Sequence, residues 1–265
     1  MKLVINGALG RMGRSVLTLA SKDPDIHIAG AIDLDEKYLG IDVGEIIGTG
    51  KLGVPLEHDL SKVITRADVV VDFTTAAGAL ETARQCRDHK TPLVFGTTGL
   101  TKEEQTALKQ IVSSIPCVMA PNMSVGINLL FKLVRETASI LGNDYDVEIT
   151  EVHHRFKKDA PSGTAQRLAE VIAETLHRSL DVHGIYGRHG ITGERKREEI
   201  GIHALRVGDV VGEHTVTFGT VGERIELAHK AQSRDAFAQG ALRAAKFVYK
   251  AQPGLYDMQD VLGLK

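Results

Sequence analysis

The sequence predicts an α/β protein in two parts: a Rossmann-like, parallel-sheet dinucleotide-binding domain, and a second α+β domain carrying a mixed or antiparallel sheet. Three observations predict it. Short apolar strands alternate with helical stretches from Leu3 to Ala120. A glycine-spaced turn, Gly7-Ala-Leu-Gly-Arg-Met-Gly13, follows the first of those strands. Beyond Leu141 the pattern changes to polar–apolar alternation broken by glycine turns.

The elements follow in order. Leu3-Val-Ile5 is a short apolar strand, and a helix runs from the glycine turn to Ser21. Ile28 to Ile32 forms a second strand ending at Asp33, and weakly periodic, Gly-rich sequence fills Gly40 to Gly53. Asp68-Val-Val-Val-Asp-Phe73 is apolar almost throughout, as a strand covered on both faces would be. Helices over Ala76–His89 and Lys102–Ser113 alternate with strands at Pro92–Phe95 and Cys117–Ala120. Ser124 to Leu141 is a longer apolar helix. In Tyr145–His153, the spacing of Val147, Ile149 and Val152 suggests a half-buried strand. Ala165, Leu168, Ala169, Ile172, Ala173 and Leu176 then recur at helical spacing, with Ser162 as N-cap. Glu198–Leu205, Glu213–Thr220 and Glu223–Ala231 are consecutive strands, and the short glycine turns between them suggest antiparallel pairing. Asp235–Tyr249 is helical and returns to the first domain. The expected division is 1–124 with 234–265 for dinucleotide binding, and 125–233 for substrate binding and oligomerisation.

Strand, glycine turn and helix make the dinucleotide-binding arrangement, in which glycines let backbone approach a pyrophosphate at the helix N-terminus. The spacing is Gly7, Gly10, Gly13, with Leu9 where a middle glycine is usual. Asp33 ends the second strand 20 residues past Gly13, where an acid accepts both hydrogens of an adenosine ribose. Gly96-Thr-Thr-Gly99 and Ala120-Pro-Asn-Met-Ser124 also follow strands of this sheet, on the side where ligands bind in such folds.

The densest chemistry lies in Glu151-Val-His-His-Arg-Phe-Lys-Lys-Asp-Ala-Pro-Ser-Gly-Thr-Ala165. A strand delivers His153 and His154 to its end, and a helix start at Gly163-Thr164 offers N–H groups to an anion. Histidine and lysine there can trade protons with whatever that anion holds in place. Adjacent strand histidines point to opposite faces, so no metal is expected. The basic run Arg188–Arg197 is read as a solvated or mobile segment.

Hydrophobic content of 43%, charged content of 25% and a net charge of -2 fit an ordinary globular protein, with no nucleic-acid or membrane partner expected. The two cysteines, Cys86 and Cys117, exclude a disulfide framework, fit a reducing, cytoplasmic setting and suit a buried structural role.

These pieces in this order resemble the 4-hydroxy-tetrahydrodipicolinate reductase family, also called dihydrodipicolinate reductases, over nearly the whole chain. Val71-Asp-Phe-Thr74, Phe95–Gly99, Ala120–Ser124, Ile200–Arg206 and Gly212–Val216 share in the likeness, and Glu151–Ala165 carries most of it. The resemblance implies NADH- or NADPH-dependent reduction of a small cyclic dicarboxylate, with loss of water, in the diaminopimelate route to lysine. It implies cofactor contacts at Gly7, Ala8, Leu9, Gly10, Arg11 and Met12, with Asp33 on the adenosine ribose. Gly96, Thr97 and Thr98, with Ala120, Pro121, Asn122 and Met123, would line the nicotinamide side. His153 is similar to the family's acid/base residue and Lys157 to its proton donor. His154, Gly163, Thr164 and Arg234 match positions that hold substrate carboxylates. A homotetramer is implied as well.

Two positions depart from the pattern. Met123 stands where some members carry an aromatic residue. Leu34 follows Asp33 where NADPH-preferring members carry arginine, so NADH is expected to serve at least as well, with Lys37 a partial substitute. Two other readings remain open from the residues alone. A redox sensor would bind the dinucleotide without reaction, though it needs no proton donor. Another imine or aldehyde oxidoreductase is the nearer rival, though no cysteine near His153 offers a thiohemiacetal.

Overall fold

The computed structural model describes residues 1–265, which divide into two compact units: Met1–Val125 with Arg234–Lys265, and Gly126–Ser233. In chain order the first unit contains β1 (Lys2–Asn6), α1 (Arg11–Ala20), β2 (His27–Ile32), α2 (Val43–Ile47), β3 (Leu56–Glu57), β4 (Val69–Asp72), α3 (Ala76–Asp88), β5 (Leu93–Phe95), α4 (Lys102–Ile111) and β6 (Pro116–Met119). The second contains α5 (Val125–Leu141, whose first residue belongs to the first unit), β7 (Asp146–His153), α6 (Gly163–Thr175), α7 (Leu180–His183), β8 (Gly184–Tyr186), β9 (Ile200–Arg206), β10 (Gly212–Thr220) and β11 (Glu223–Ala231). The chain then returns to the first unit with α8 (Asp235–Val248), β12 (Gly254–Tyr256) and α9 (Met258–Leu262).

The first unit is a seven-stranded parallel sheet in the order β12-β6-β5-β4-β1-β2-β3. Strand order reverses between β1 and β4, and in such sheets a crevice opens at that point beyond the carboxyl ends. Both faces are covered, as the apolar strands required. Leu3, Ile5, Val69 and Val71 pack with α1 and α8 residues, while Val4, Val70 and Leu93 pack with α3 and α4 residues. Cys86 and Cys117 sit in the second of these cores, where burial raises both thiol pKa values and keeps them unreactive. The edge strands β3 and β12 were not foreseen. Each pairs through only two or three residues, too few to impose a period on the sequence.

The second unit is a five-stranded mixed sheet in the order β11-β10-β7-β9-β8. One face is covered by apolar residues of α5 and α6, among them Ile127, Leu130, Val134, Leu168 and Ile172. Here two sequence expectations need correction. The glycine turn after β9 does not make a hairpin with β10: β7 lies between them, parallel to β9 and antiparallel to β10. Only β10 and β11 form a consecutive hairpin, turning at Gly222 with φ +96°. Along β7 the buried side chains are Val147, Ile149, Glu151 and His153, strictly alternate, so Val152 faces the other way. The apolar run thus ends in a buried acid and a buried histidine.

The basic run after β8 is largely exposed, as a solvated segment would be, and one acid holds two of its arginines. Arg188 and Arg195 both bond the Glu148 carboxylate, at 2.9 and 3.0 Å, and His203 Nε2 lies 2.6 Å from it. Gly201 makes room, since a Cβ there would lie 1.8 Å from a Glu148 oxygen. Burial opposes the charge on Glu148, but hydrogen bonds from Arg188, His203 and Arg195 outweigh it and lower the pKa from 4.5 to about 2. A depressed carboxylate stabilises the fold above its unfolded pKa and loses that contribution as pH falls through the folded value. The stability advantage of the wild type over Glu148→Gln in urea unfolding should therefore be full at pH 5 and shrink as pH approaches about 2.

Candidate active site

In the first unit, the glycine turn is built as the spacing required. Gly7 has φ +78°, and a Cβ on it would lie 2.7 Å from the Phe73 carbonyl oxygen. A Cβ on Gly13 would lie 2.0 Å from Gly7 O, so only glycine lets α1 pack this closely on the loop. Gly7 and Ala8 donate their N–H groups to Ile32 O, and Leu9 donates to Asp33 Oδ2 at 2.8 Å. Those three donors are consumed within the fold. No side chain caps α1 at Gly10, so the first-turn N–H groups of Arg11, Met12 and Gly13 are the ones left for an anion. Asp33 also accepts from Leu34 N at 2.9 Å, which pins the acid beside the turn. Leu34 itself is 80% exposed, and Lys37 stacks its ammonium 5.3 Å from the Tyr38 ring centroid.

A cleft of about 600 Å³ opens here, lined by Gly7, Leu9, Gly10, Asp33, Leu34 and Phe73 among others. An uncapped helix start, glycines a side chain would fill, and an acid at the end of β2 fit a dinucleotide. Behind the cleft lies Asp72, fully buried. Its carboxylate accepts from Asn6 Nδ2 (3.2 Å), Thr74 Oγ1 (3.0 Å) and Thr97 Oγ1 (2.7 Å), tying together the loops after β1, β4 and β5. Thr97 is thereby fixed, Gly96 presses against the Phe73 ring, and Thr98 is exposed. Ala120 donates to Phe95 O, Pro121 is exposed, and Asn122 Oδ1 accepts from Ser124 N. Met123 is 3% exposed, in the core, and its carbonyl abuts Gly240 of α8. None of these last residues lines the cleft.

In the second unit the polar end of the sheet gathers residues far apart in sequence. Register sets Glu151 opposite His214 on β10, and His153 opposite Arg206 on β9. Glu151 Oε2 lies 2.5 Å from His153 Nδ1. Arg206 forks the same carboxylate at 2.8 and 2.9 Å, and Ser162 N–H donates to Oε1 at 3.0 Å. Ser162 Oγ accepts from Ala165 N, capping α6 as expected, and lies 3.1 Å from His214 Nε2. The His153 and His214 rings meet edge to face, with centroids 5.2 Å apart. Burial pushes His214 down to about 3, helped by its neighbour His153. Burial lowers His153 as well, against the pull of Glu151. Burial thus favours the neutral form of both rings.

Lys157 Nζ donates to Asp159 Oδ2 at 2.8 Å, and its charge is near enough to lower His153 and His214. His154 turns away from His153 toward Phe156, and its Nδ1 is buried without a partner. Gly163 is exposed at the start of α6, where a Cβ would meet nothing within 4 Å. Thr164 follows it half-buried, and Arg234 stands at the start of α8 in the other unit. Sequence reading missed Glu151, Arg206, Ser162 and His214 as members of this cluster. The alternation of β7 carried a signal for Glu151, which shares the parity of His153; nothing local marked Arg206 or His214.

Two family models match the chain: dihydrodipicolinate reductase, N-terminus, over residues 1–123, and dihydrodipicolinate reductase, C-terminus, over residues 126–262. The chain belongs to the dihydrodipicolinate reductase family. It is 50% identical to a 4-hydroxy-tetrahydrodipicolinate reductase of Syntrophus aciditrophicus (strain SB), covering 100% of this chain and 99% of that one. It is likewise 50% identical, at the same coverage, to a protein of that name from Hahella chejuensis (strain KCTC 2396). A dipicolinate-bound dihydrodipicolinate reductase from Paenisporosarcina sp. TG-14 superposes with a TM-score of 0.76 at 25% identity, covering 98% of both chains. Family membership and the seven-stranded sheet agree in making this chain a nicotinamide-dependent reductase.

Proposed function

We infer that the chain reduces 4-hydroxy-tetrahydrodipicolinate to tetrahydrodipicolinate, in the diaminopimelate route to lysine. The observation that carries this reading is His153, buried with Nδ1 engaged by Glu151, inside the run Glu151–Ala165 on a chain matching the family end to end. Bound NADH or NADPH supplies the hydride. Per turnover one hydride and one proton are added to the ring and its hydroxyl leaves as water. His153 and Lys157 manage the protons, and the lysine ammonium is the acid that meets developing carbanion character. His154, Gly163, Thr164 and Arg234 hold the two carboxylates; the exposed start of α6 at Gly163 supports that role. Arg11, Met12 and Asp33 hold the dinucleotide, with Gly7 to Gly10 shaping its cradle. Gly96 to Thr98 and the backbone of Ala120 to Met123 take the nicotinamide side.

The test is NADH absorbance after addition of the cyclic product of pyruvate and aspartate semialdehyde. A steady fall is expected; no fall would favour a dinucleotide-binding sensor. The cofactor preference belongs to the same reading. A 2′-phosphate would meet the Asp33 carboxylate, with exposed Leu34 following it where an arginine would pair with that phosphate. The kcat/KM with NADH should therefore equal or exceed that with NADPH, and a strong NADPH preference would contradict this. A cytoplasmic homotetramer joined through the second unit's sheet completes the proposal.

A further inference from the structure

The partners of the Glu151 carboxylate are all of one kind. Arg206 offers one N–H to each oxygen, and Ser162 offers its backbone N–H to Oε1. Neither group has an acceptor to give at those atoms. Glu151 is 0% exposed, so an added proton would find no acceptor there and would leave the Arg206 charge uncompensated. Burial works against the carboxylate, yet Arg206, His153 and the Ser162 N–H hold its pKa below the usual range. The fourth contact, His153 Nδ1, therefore faces an ion that only accepts.

We propose that Glu151 is a positioning residue: clamped by Arg206 and the Ser162 N–H, it fixes His153 as the Nδ1–H tautomer and leaves Nε2 as the one ring atom that exchanges protons. This rests on His153 being the acid/base residue. Nε2 points at Gly212, where a Cβ would lie 3.0 Å away, so a side chain at 212 would crowd that atom. The charged and titratable groups facing the ring are Glu151 on its own strand, Arg206 on β9, His214 on β10 and Lys157 in the following turn. His214, neutral and bonded to Ser162, competes for no proton at physiological pH. The clamp joins two strands to the start of α6, so the ring keeps its tautomer through each proton transfer.

A carboxamide at 151 tests this, because it must turn its NH2 toward one side of the clamp. Toward Ser162 it meets two donors. Toward His153 it meets one Arg206 donor and a ring able to surrender its Nδ1 hydrogen. In the full chain with 15N-labelled histidine, Glu151→Gln should convert His153 from Nδ1–H to Nε2–H. Its kcat should fall by about 10²–10⁴-fold with KM nearly unchanged. Glu151→Asp should keep the Nδ1–H tautomer and recover part of kcat. Should Glu151→Gln not fold, an Nε2–H tautomer of His153 in the unaltered chain overturns the proposal. An unchanged tautomer in Glu151→Gln overturns it directly, as does normal kcat there while His153→Gln is inactive. Near wild-type turnover in His153→Gln instead ends the acid/base reading itself.

Discussion

Replacing Lys157 with alanine should lower kcat by roughly 10²–10⁴-fold, the range that loss of a positioned general acid produces. Its ammonium is bonded to Asp159 at 2.8 Å and sits in a turn whose backbone is fixed at both ends. Lys157 N donates to His154 O, and Asp159 O accepts from Arg206. Truncation therefore removes the acid without dismantling the turn. The loss should appear in kcat more than in KM, because the proposed carboxylate partners, His154 and the start of α6, are left in place. Stopped-flow measurement of NADH oxidation in a single turnover separates the chemical step from release. Turnover within a few-fold of the wild type would remove Lys157 from the mechanism.

The second large effect is expected at Gly13. An alanine Cβ there would lie 2.0 Å from Gly7 O and 2.7 Å from Ala8 Cα, both backbone atoms that cannot swing aside. The glycine turn must move off α1, and overpacking of this kind costs about 1–3 kcal/mol. If that strain is relieved only by distorting the pyrophosphate cradle, NADH binding weakens by about 5–150-fold. Quenching or enhancement of NADH fluorescence during titration measures it. Gly163→Ala is the contrast, since a Cβ there meets nothing within 4 Å and leaves the first unit untouched. Unchanged NADH affinity in Gly13→Ala would show that the loop tolerates the shift.

The first unit was largely legible because its signals are local. Continuous apolar strands, a glycine turn with fixed spacing and an acid ending β2 are each readable within a few residues. The short edges β3 and β12 escaped because two or three paired residues leave no period. The second unit was legible as elements but not as pairings. β7 inserts between β9 and β10, a pairing between strands far apart in sequence that no local pattern encodes. The candidate site suffered from the same gap. His153 and Lys157 stand in one run, whereas Glu151 meets His214 and Arg206 only through that unforeseen order. Grouping Val152 with Val147 and Ile149 also hid Glu151, because it placed the acid on the wrong face of the strand.

The return of the chain to the first unit has a consequence for synthesis on the ribosome. α8 packs its buried alanines, among them Ala238, Ala241 and Ala245, into the core shared with α1 and β1, and β12 completes the sheet edge beside β6. Until those residues leave the exit tunnel, the nascent amino-terminal sheet carries an apolar layer that α1 covers only in part. Residues 126–233 are contiguous and complete earlier. The middle of the polypeptide thus matures before its beginning, and the unfinished sheet is the segment most in need of chaperone cover.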